Sequence, residues 1–209
     1  MLIQGLENMT EIIEKDTDLI FFEMMAHPVL FTHQNPKKIV LLGDNTHLIL
    51  PEVLKHSNIV EIHEIAPRSG QYVDNKLVFH TELSSLKADS VDIIINASDL
   101  DITQQLFGLL HKDGILIQQS VSPFAINPLK SSIHALHQTG FSDVQLLSFP
   151  QPNYSTGWRS ILMALKHGMF KRLREKIIYN KPFKTAYYNY DMHKAATVLP
   201  EFIRDSNLF

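Results

Sequence analysis

The sequence predicts an α/β protein whose sheet is doubly wound, mostly parallel and completed at one edge by an antiparallel hairpin. Continuous apolar runs such as KIVLLG (38–43) and SVDIIINAS (90–98) are typical of parallel strands that are buried on both faces. Helix-like segments separate these runs at the spacing of strand–helix–strand units. Two strand-like runs then follow each other directly, DVQLLSF (143–149) and WRSILMALK (158–166), and they predict the hairpin.

The remaining elements are predicted in chain order. The segment DLIFFEMMAHPVLF (18–31) predicts a largely buried helix, because apolar residues cover most of its circumference, and Pro28 bends or ends its regular part. Thr46 caps a helix over 46–57, and Gly140 ends another over 129–140. We also expect a short hairpin over 1–14, strands over 59–65, 76–80 and 115–120, and a helix over 102–114. This order is typical of a Rossmann-like, class I methyltransferase-like sheet.

The composition is that of a globular protein and excludes several kinds of chemistry. The 209 residues suit one domain, with 44% apolar and 20% charged residues. The sequence has no cysteine, which excludes disulfides, thiolate metal sites and thiol nucleophiles. Acidic residues come too early for a secretory signal, and no apolar run approaches the roughly 20 residues of a membrane span. The missing cysteine and the missing signal fit a cytoplasmic protein. The net charge of −3 gives no reason to expect binding to nucleic acid or membranes.

Two polar clusters have a simpler interpretation than a binding site. Residues 167–184 contain six Lys or Arg residues and one acid, Glu175. One interpretation is a patch that binds anions or nucleic acid. The other is a solvated linker or helix face, and the net negative charge of the whole chain favours it. His134 and His137 lie one helical turn apart, but the spacing places no third ligand beside them, so we expect surface histidines and no metal site.

Polar residues follow three of the predicted strands at their carboxyl ends, where open α/β sheets bind ligands. Gly43 and Asp44 follow the first strand, although a dinucleotide loop would contain several glycines. Glu64 ends the second strand, where an acid typically accepts hydrogen bonds from ribose hydroxyls; an ordinary strand-end carboxylate is an equal alternative. Asp99 and Asp101 follow the fourth predicted strand of the parallel sheet and form a pocket for a cation, unless Asp99 caps the next helix.

Several segments resemble the spermidine synthase family of polyamine aminopropyltransferases. FFEMMAHPVLFTHQNPKKIVLLG (21–43) is similar to the family's YHEMLAHPPLFTHPNPKRVLIIG, and HKDGILIQQSVSPF (111–124) is similar to KPDGIFVAQSESPF. PNYSTG (152–157) follows, and YYNYDMHKAATVLPEF (187–202) is similar to YYNSDVHRAAFVLPEF. The matches occur in order through nearly the whole chain. The chain is therefore identified as a divergent member of this family.

The resemblance implies a transferase with a Rossmann-like domain over 15–209 and a reduced N-terminal β domain, of which residues 1–14 are the remnant. Members of the family transfer an aminopropyl group from decarboxylated S-adenosylmethionine to putrescine, which gives spermidine and methylthioadenosine. The resemblance implies small polyamine and adenosyl substrates, with decarboxylated S-adenosylmethionine as co-substrate. It also implies a homodimer with no metal and no tightly bound cofactor.

Several positions of the family motifs are changed in this sequence. The family's proton-accepting Asp in D-[ST]-[ST]-D corresponds to Asn96, which cannot accept a proton. A substrate-binding Asp of the family's GGGDGG loop corresponds to Thr46. Phe21 and Phe22 stand where the family has a Tyr and a His or Gln, and Val121 stands where it has a Glu.

The retained positions and nearby acids give the candidate site. By the resemblance, the adenosyl donor is assigned to Gly43, Glu64 and Asn96, and the nearby acids Asp44 and Glu82, which match no motif position, are added to the donor side. The amine is assigned to Asp99, Gln119 and Tyr154, with Asp99 or Asp101 as the base beside Asn96. The first hypothesis is a divergent aminopropyltransferase that acts on putrescine or a related amine. The alternative is a weak or inactive homologue that acts as a binding or regulatory partner.

Overall fold

The structure is a computed structural model that describes residues 18–66 and 73–206. In this part of the chain the strands are β1 (Lys38–Leu42), β2 (Glu61–Ile65), β3 (Leu77–Phe79), β4 (Val91–Asn96), β5 (Leu110–Ser120), β6 (Asp143–Pro150) and β7 (Trp158–Leu165). The helices are α1 (18–32), α2 (Thr46–Leu54), α3 (Thr103–Leu109), α4 (Ile126–Thr139), α5 (Glu175–Tyr179), α6 (Tyr190–Ala196) and α7 (Glu201–Arg204), with a short 3-10 helix at Leu83–Ser85. The hairpin predicted over residues 1–14 lies outside the described residues.

The strands of the described chain form one sheet in the order β3-β2-β1-β4-β5-β7-β6. Neighbours from β3 to β5 are parallel, whereas β7 runs antiparallel to both β5 and β6. Successive strands move outward on one side from β1 and on the other from β4, so the switch point of the topology lies between these two strands. The predicted doubly wound, Rossmann-like sheet with a terminal antiparallel hairpin is confirmed.

Both faces of the sheet are covered, which explains the continuous apolar runs. In β1, Ile39 and Leu41 belong to the core beneath α1 and α2, whereas Val40 and Leu42 belong to the core beneath α3 and α4. Successive side chains of a strand point to opposite faces, so a strand covered on both sides is apolar at every position.

The boundary between α3 and β5 differs from the prediction of a helix over 102–114. Helix α3 ends at Leu109, and β5 begins at Leu110, which pairs with Val91 of β4. The buried Lys166 ammonium also donates a hydrogen bond to the Leu110 carbonyl oxygen at 2.7 Å. Tertiary pairing therefore overrides the local helical pattern. Helix α4 begins at Ile126, three residues before the predicted start, because Pro128 falls in its first turn, where no backbone donor is needed.

The segment after β7 contacts α1 through buried polar groups. The Glu23 carboxylate of α1 is 2% exposed and accepts hydrogen bonds from the three successive backbone N–H groups of residues 186–188, at 2.7, 2.9 and 2.7 Å. The Arg174 guanidinium donates to the carbonyl oxygens of Phe31 (2.8 Å) and His33 (2.7 Å) at the end of α1. Carbonyl groups there have no partner within the helix. Arg174, a member of the basic segment, thus stabilises a helix end.

Residues 18–66 and 73–206 contain neither a helix that could span a membrane nor a cluster of possible metal ligands. None of the helices there has both the length and the apolar character needed to cross a bilayer. No group of three or more His, Asp or Glu side chains is placed there to hold a metal ion, and His134 and His137 are exposed.

Candidate functional site

Two adjoining clefts open at the carboxyl edge of the sheet. The β1 cleft, of about 740 Å³, lies over the ends of β1 to β4 and is lined in part by Gly43, Asp44 and His80. The β5 cleft, of about 700 Å³, lies over the ends of β4 and β5 and is lined in part by Asn96, Asp101, Gln119, Tyr154 and Arg159. The segment Ser98-Asp99-Leu100, just after β4, lines both clefts. Two ligands bound side by side would therefore meet at the switch point of the sheet.

Gly43 holds the backbone of the first loop close to the end of β4. Its φ of +122° is rarely adopted by residues with a side chain, and a Cβ there would lie 2.6 Å from the Ala97 carbonyl carbon. The Gly43 N–H donates to the Ile65 carbonyl oxygen at 3.2 Å. A side chain at this position would separate the loops that form the floor of the β1 cleft.

Glu64 is turned toward the start of α2. The Thr46 hydroxyl donates a hydrogen bond to Glu64 Oε1 at 2.5 Å, and the two residues are only 1% and 2% exposed. The residue that stands at the family's aspartate position is therefore the partner of the retained glutamate. A buried carboxylate is costly without a donor, and the threonine hydroxyl supplies one.

Asn96 fixes the turn after β4. Its Oδ1 accepts hydrogen bonds from the Ser98 backbone N–H at 3.0 Å and from the Ser98 hydroxyl at 2.7 Å. Asn96 is 4% exposed and lines the β5 cleft. An amide oxygen has no useful basicity, and here its acceptor positions are directed to the turn. Asn96 positions the segment that includes Asp99.

Asp99 does not cap α3, which was the competing interpretation of this residue. The residue at the N-cap of α3 is Ile102, and its side chain makes no capping hydrogen bond. Asp99 instead accepts a hydrogen bond from the Gln119 amide at 2.6 Å, from the end of β5. This places an exposed carboxylate at the junction of the two clefts, where it can bind a cation.

Arg159 is a functional candidate that sequence reasoning missed. Its Nη2 donates to Gln119 Oε1 at 3.3 Å, and its guanidinium carbon lies 3.5 Å from the ring centroid of Phe21 and 5.3 Å from that of Tyr154. Burial lowers the pKa of Arg159, while Tyr154 and nearby carboxylates oppose this shift. An arginine remains charged under such conditions. The available signal was the one charged residue in the mostly apolar strand that follows the PNYSTG segment.

The remaining residues that the sequence suggested for the site differ in their exposure and in their position relative to the two clefts. Asp44 and Asp101 are exposed and line the β1 and β5 clefts respectively. Glu82 accepts a hydrogen bond from the Ser84 hydroxyl at 2.8 Å and is not among the residues that line either cleft. Val121 lines the β5 cleft, whereas Phe21 is 4% exposed and packs in the core beneath Arg159. The phenylalanines therefore leave the clefts open.

A histidine pair beside the β1 cleft was also missed. His80 Nε2 lies 2.6 Å from His63 Nδ1, and His80 Nδ1 lies 2.7 Å from the Ser85 hydroxyl oxygen. Burial is the largest cause that lowers the pKa of His63, so this ring is predominantly neutral at pH 7. His63 lies on β2 and His80 directly follows the neighbouring strand β3, and the sequence alone does not reveal this pairing.

The sheet order defines a Rossmann-like, class I methyltransferase-like fold. Two spermidine synthase crystal structures are similar to it: one in complex with the transition state analogue AdoDATO (TM-score 0.80, 20% identity, 90% of this chain and 75% of that one) and one from Thermotoga maritima (TM-score 0.79, 22% identity, 90% and 74%). At these identities the likeness shows the fold.

Sequence relatives identify the family. The chain is 35% identical to a polyamine aminopropyltransferase of Methylococcus capsulatus, over 99% of this chain and 81% of that protein. It is 31% identical to that of Halorhodospira halophila, over 95% and 83%. No family model matches the sequence. The chain belongs to the polyamine aminopropyltransferase family.

Proposed function

We propose that this protein transfers an aminopropyl group from decarboxylated S-adenosylmethionine to an amine. The adenosyl donor occupies the β1 cleft, and the amine occupies the β5 cleft. The observation that supports this most directly is Asp99, whose carboxylate lies at the junction of the two clefts and is oriented by Gln119. Family membership supplies the reaction class, and the open carboxyl edge supplies room for both substrates.

The transfer is a displacement at carbon. The lone pair of the neutral amine attacks the carbon that is bonded to the sulfonium, the C–N bond forms, and the C–S electron pair goes to sulfur. Methylthioadenosine leaves as a neutral thioether, and the product is a secondary ammonium. The one proton released overall is the one that the amine loses before the attack. Bringing the donor carbon and the amine together in adjoining clefts supplies much of the catalysis, because positioning alone removes a large entropic barrier.

The attacking amine must first lose a proton, since its pKa lies near the lysine value of about 10.4. Asn96 cannot take this proton, so we assign the task to Asp99, or to Asp101 on the same segment. Loss of a well-placed general base typically slows an enzyme by about 10²–10⁴-fold, so we expect turnover slower than an enzyme with an aspartate at this position.

The proposed binding roles follow the two clefts. In the β1 cleft the Gly43 backbone lies against the donor and Asp44 accepts from it, while Glu64 holds the loop through Thr46. In the β5 cleft Asp99 binds the ammonium, and Gln119 and Tyr154 line its path. Asn96 is assigned to the donor side only by the resemblance, and Glu82 only as an acid near that side in the sequence.

The test is the release of methylthioadenosine from decarboxylated S-adenosylmethionine, measured by chromatography with a panel of amines. We expect D99N to lower kcat by at least about 100-fold, because it removes both the charge and the proton acceptor. If D101N lowers kcat more than D99N does, Asp101 is the base. D113N, at the exposed start of β5, is the matched control and leaves the rate unchanged. Absence of product with every amine would contradict the proposal.

A second candidate function is a homologue that binds its ligands without turnover. It is favoured by Asn96, whose oxygen is directed to Ser98, and by Thr46, whose hydroxyl is directed to Glu64. Calorimetry separates the two: methylthioadenosine binding without turnover supports the binding homologue. We further propose a homodimer, on the resemblance, and a cytoplasmic location, on the composition. Light scattering coupled to size exclusion tests the dimer.

A further inference from the structure

The β5 cleft has a cation in its wall. Its charged lining groups are Asp99 and Asp101 on one side and Arg159 on the other. These groups come from the ends of β4 and β7, and β5 lies between those two strands. The cleft is therefore divided into an acidic end and a basic end.

The basic end has unused hydrogen-bonding capacity. In residues 18–66 and 73–206, Arg159 makes no ion pair at 4.0 Å or less, and its hydrogen bond is the one to Gln119 at 3.3 Å. A guanidinium has five N–H donors in a planar fork that matches a carboxylate. The Phe21 ring centroid lies 3.5 Å from the guanidinium carbon, and this contact together with the hydrogen bond to Gln119 restricts where the remaining donors can lie.

The two ends are separated by the width of one side-chain amide. Gln119 donates to Asp99 through its nitrogen at 2.6 Å and accepts from Arg159 through its oxygen at 3.3 Å. A short, extended ligand with an ammonium at one end and a carboxylate at the other would match this row of charges. A diamine would instead place its second ammonium beside the guanidinium, and like charges at such distances repel.

We propose that the acceptor is an ω-amino carboxylate, with its ammonium at Asp99 and its carboxylate on the Arg159 guanidinium. This inference rests on the proposed transfer function and narrows its substrate class from amines in general to zwitterionic amines. Arg159 lines the β5 cleft and is not among the residues that line the β1 cleft, so the carboxylate belongs to the acceptor and not to the adenosyl donor.

Calorimetric titration compares two acceptors with the same number of non-hydrogen atoms along the chain, 4-aminobutanoate and 1,4-diaminobutane. The full chain is titrated with and without saturating methylthioadenosine. We expect 4-aminobutanoate to bind at least about tenfold more tightly than the diamine, and R159Q to weaken its binding by about 10–100-fold. R172Q, which removes an exposed arginine of the basic segment, is the matched control and keeps the preference. Tighter binding of the diamine, or an unchanged preference in R159Q, would overturn the proposal.

Turnover separates this inference from the function on which it rests. With decarboxylated S-adenosylmethionine and 4-aminobutanoate, mass spectrometry should find the N-aminopropyl amino acid together with methylthioadenosine. If product formed with S-adenosylmethionine as the donor and not with its decarboxylated form, the carboxylate recognised by Arg159 would belong to the donor, and the inference would be overturned. Failure of turnover with every amine counts against the transferase, whereas the titration needs no donor and decides the role of Arg159 by itself. An unchanged thermal midpoint shows that R159Q is folded.

Discussion

Three residues that depart from the motifs of the resembled family have a specific contact. Thr46 donates to Glu64, Asn96 closes the turn after β4, and the Phe21 ring lies 3.5 Å from the Arg159 guanidinium carbon. Buried polar groups require hydrogen-bond partners, so a change at one position restricts what its neighbour can be. Asp99 lines both clefts, whereas the buried Glu64 lines neither and holds the first loop through Thr46.

The contact between Thr46 and Glu64 predicts the effect of a near-isosteric change. Thr46→Val keeps the shape but removes the hydroxyl, which leaves the buried carboxylate without this donor. We expect the free energy of unfolding to fall by about 1–3 kcal/mol, measured by urea denaturation. Thr46→Ser retains the hydroxyl and is the control. If the valine variant is as stable as the wild type, the hydrogen bond contributes nothing at this position.

Among the elements, α1 and the segment after β7 depend on each other. Glu23→Gln replaces one acceptor oxygen with a donor amide that faces the backbone N–H groups of residues 186–188. We expect the free energy of unfolding to fall by about 3 kcal/mol, because the charge is lost and the new amide NH2 group faces backbone N–H groups that are themselves donors. Faster hydrogen exchange at these three amides would locate the effect.

The control for this change is an exposed glutamate. Glu201→Gln in α7 alters an exposed pair with Arg204 at 3.4 Å, and such surface pairs contribute little. Equal losses of stability in the two variants would argue that Glu23 has no special role in joining α1 to the end of the chain.

The sheet was predictable from sequence because its strands are covered on both faces, which leaves continuous apolar runs. Asp99, Gln119 and Tyr154 were predicted from motif segments, and the structure places all three in the lining of the β5 cleft. Arg159 was not found, because its significance comes from the order β4-β5-β7, which joins residues that are far apart in the sequence. The start of β5 was missed for the same reason, since its pairing with Val91 is tertiary.

For the molecule as a whole, buried histidines make folding depend on pH. Burial lowers the pKa of His56 to about 3 and that of His193 to about 4, and it also lowers the pKa of His27. His27 and His56 contact each other at 3.0 Å, and Glu52 accepts from His27 and pairs with Lys55 at 2.6 Å. Glu23 and Glu52 favour protonation of His27, but burial has the larger effect.

The sign of the effect follows from which state binds more protons. These histidines take up protons near pH 6.5 when the chain is unfolded, but only well below that value when it is folded. Their contribution to stability is therefore complete above pH 6.5. It is lost as the pH falls toward 4 for His193 and toward 3 for His56. Between pH 7 and about pH 5, proton uptake by His56 in the unfolded chain lowers the free energy of unfolding by about 2 kcal/mol, and His193 contributes a similar amount.

Urea denaturation at several pH values between 7.5 and about 5 measures this loss. In His56→Gln the loss should shrink by about 2 kcal/mol, because one group that titrates differently in the two states is gone. His134→Gln removes an exposed histidine of α4 and should reproduce the wild-type curve. Over most of this range the carboxylates are ionised in both states, so a flat wild-type curve would mean that the three histidines are protonated in the folded protein, contrary to their burial.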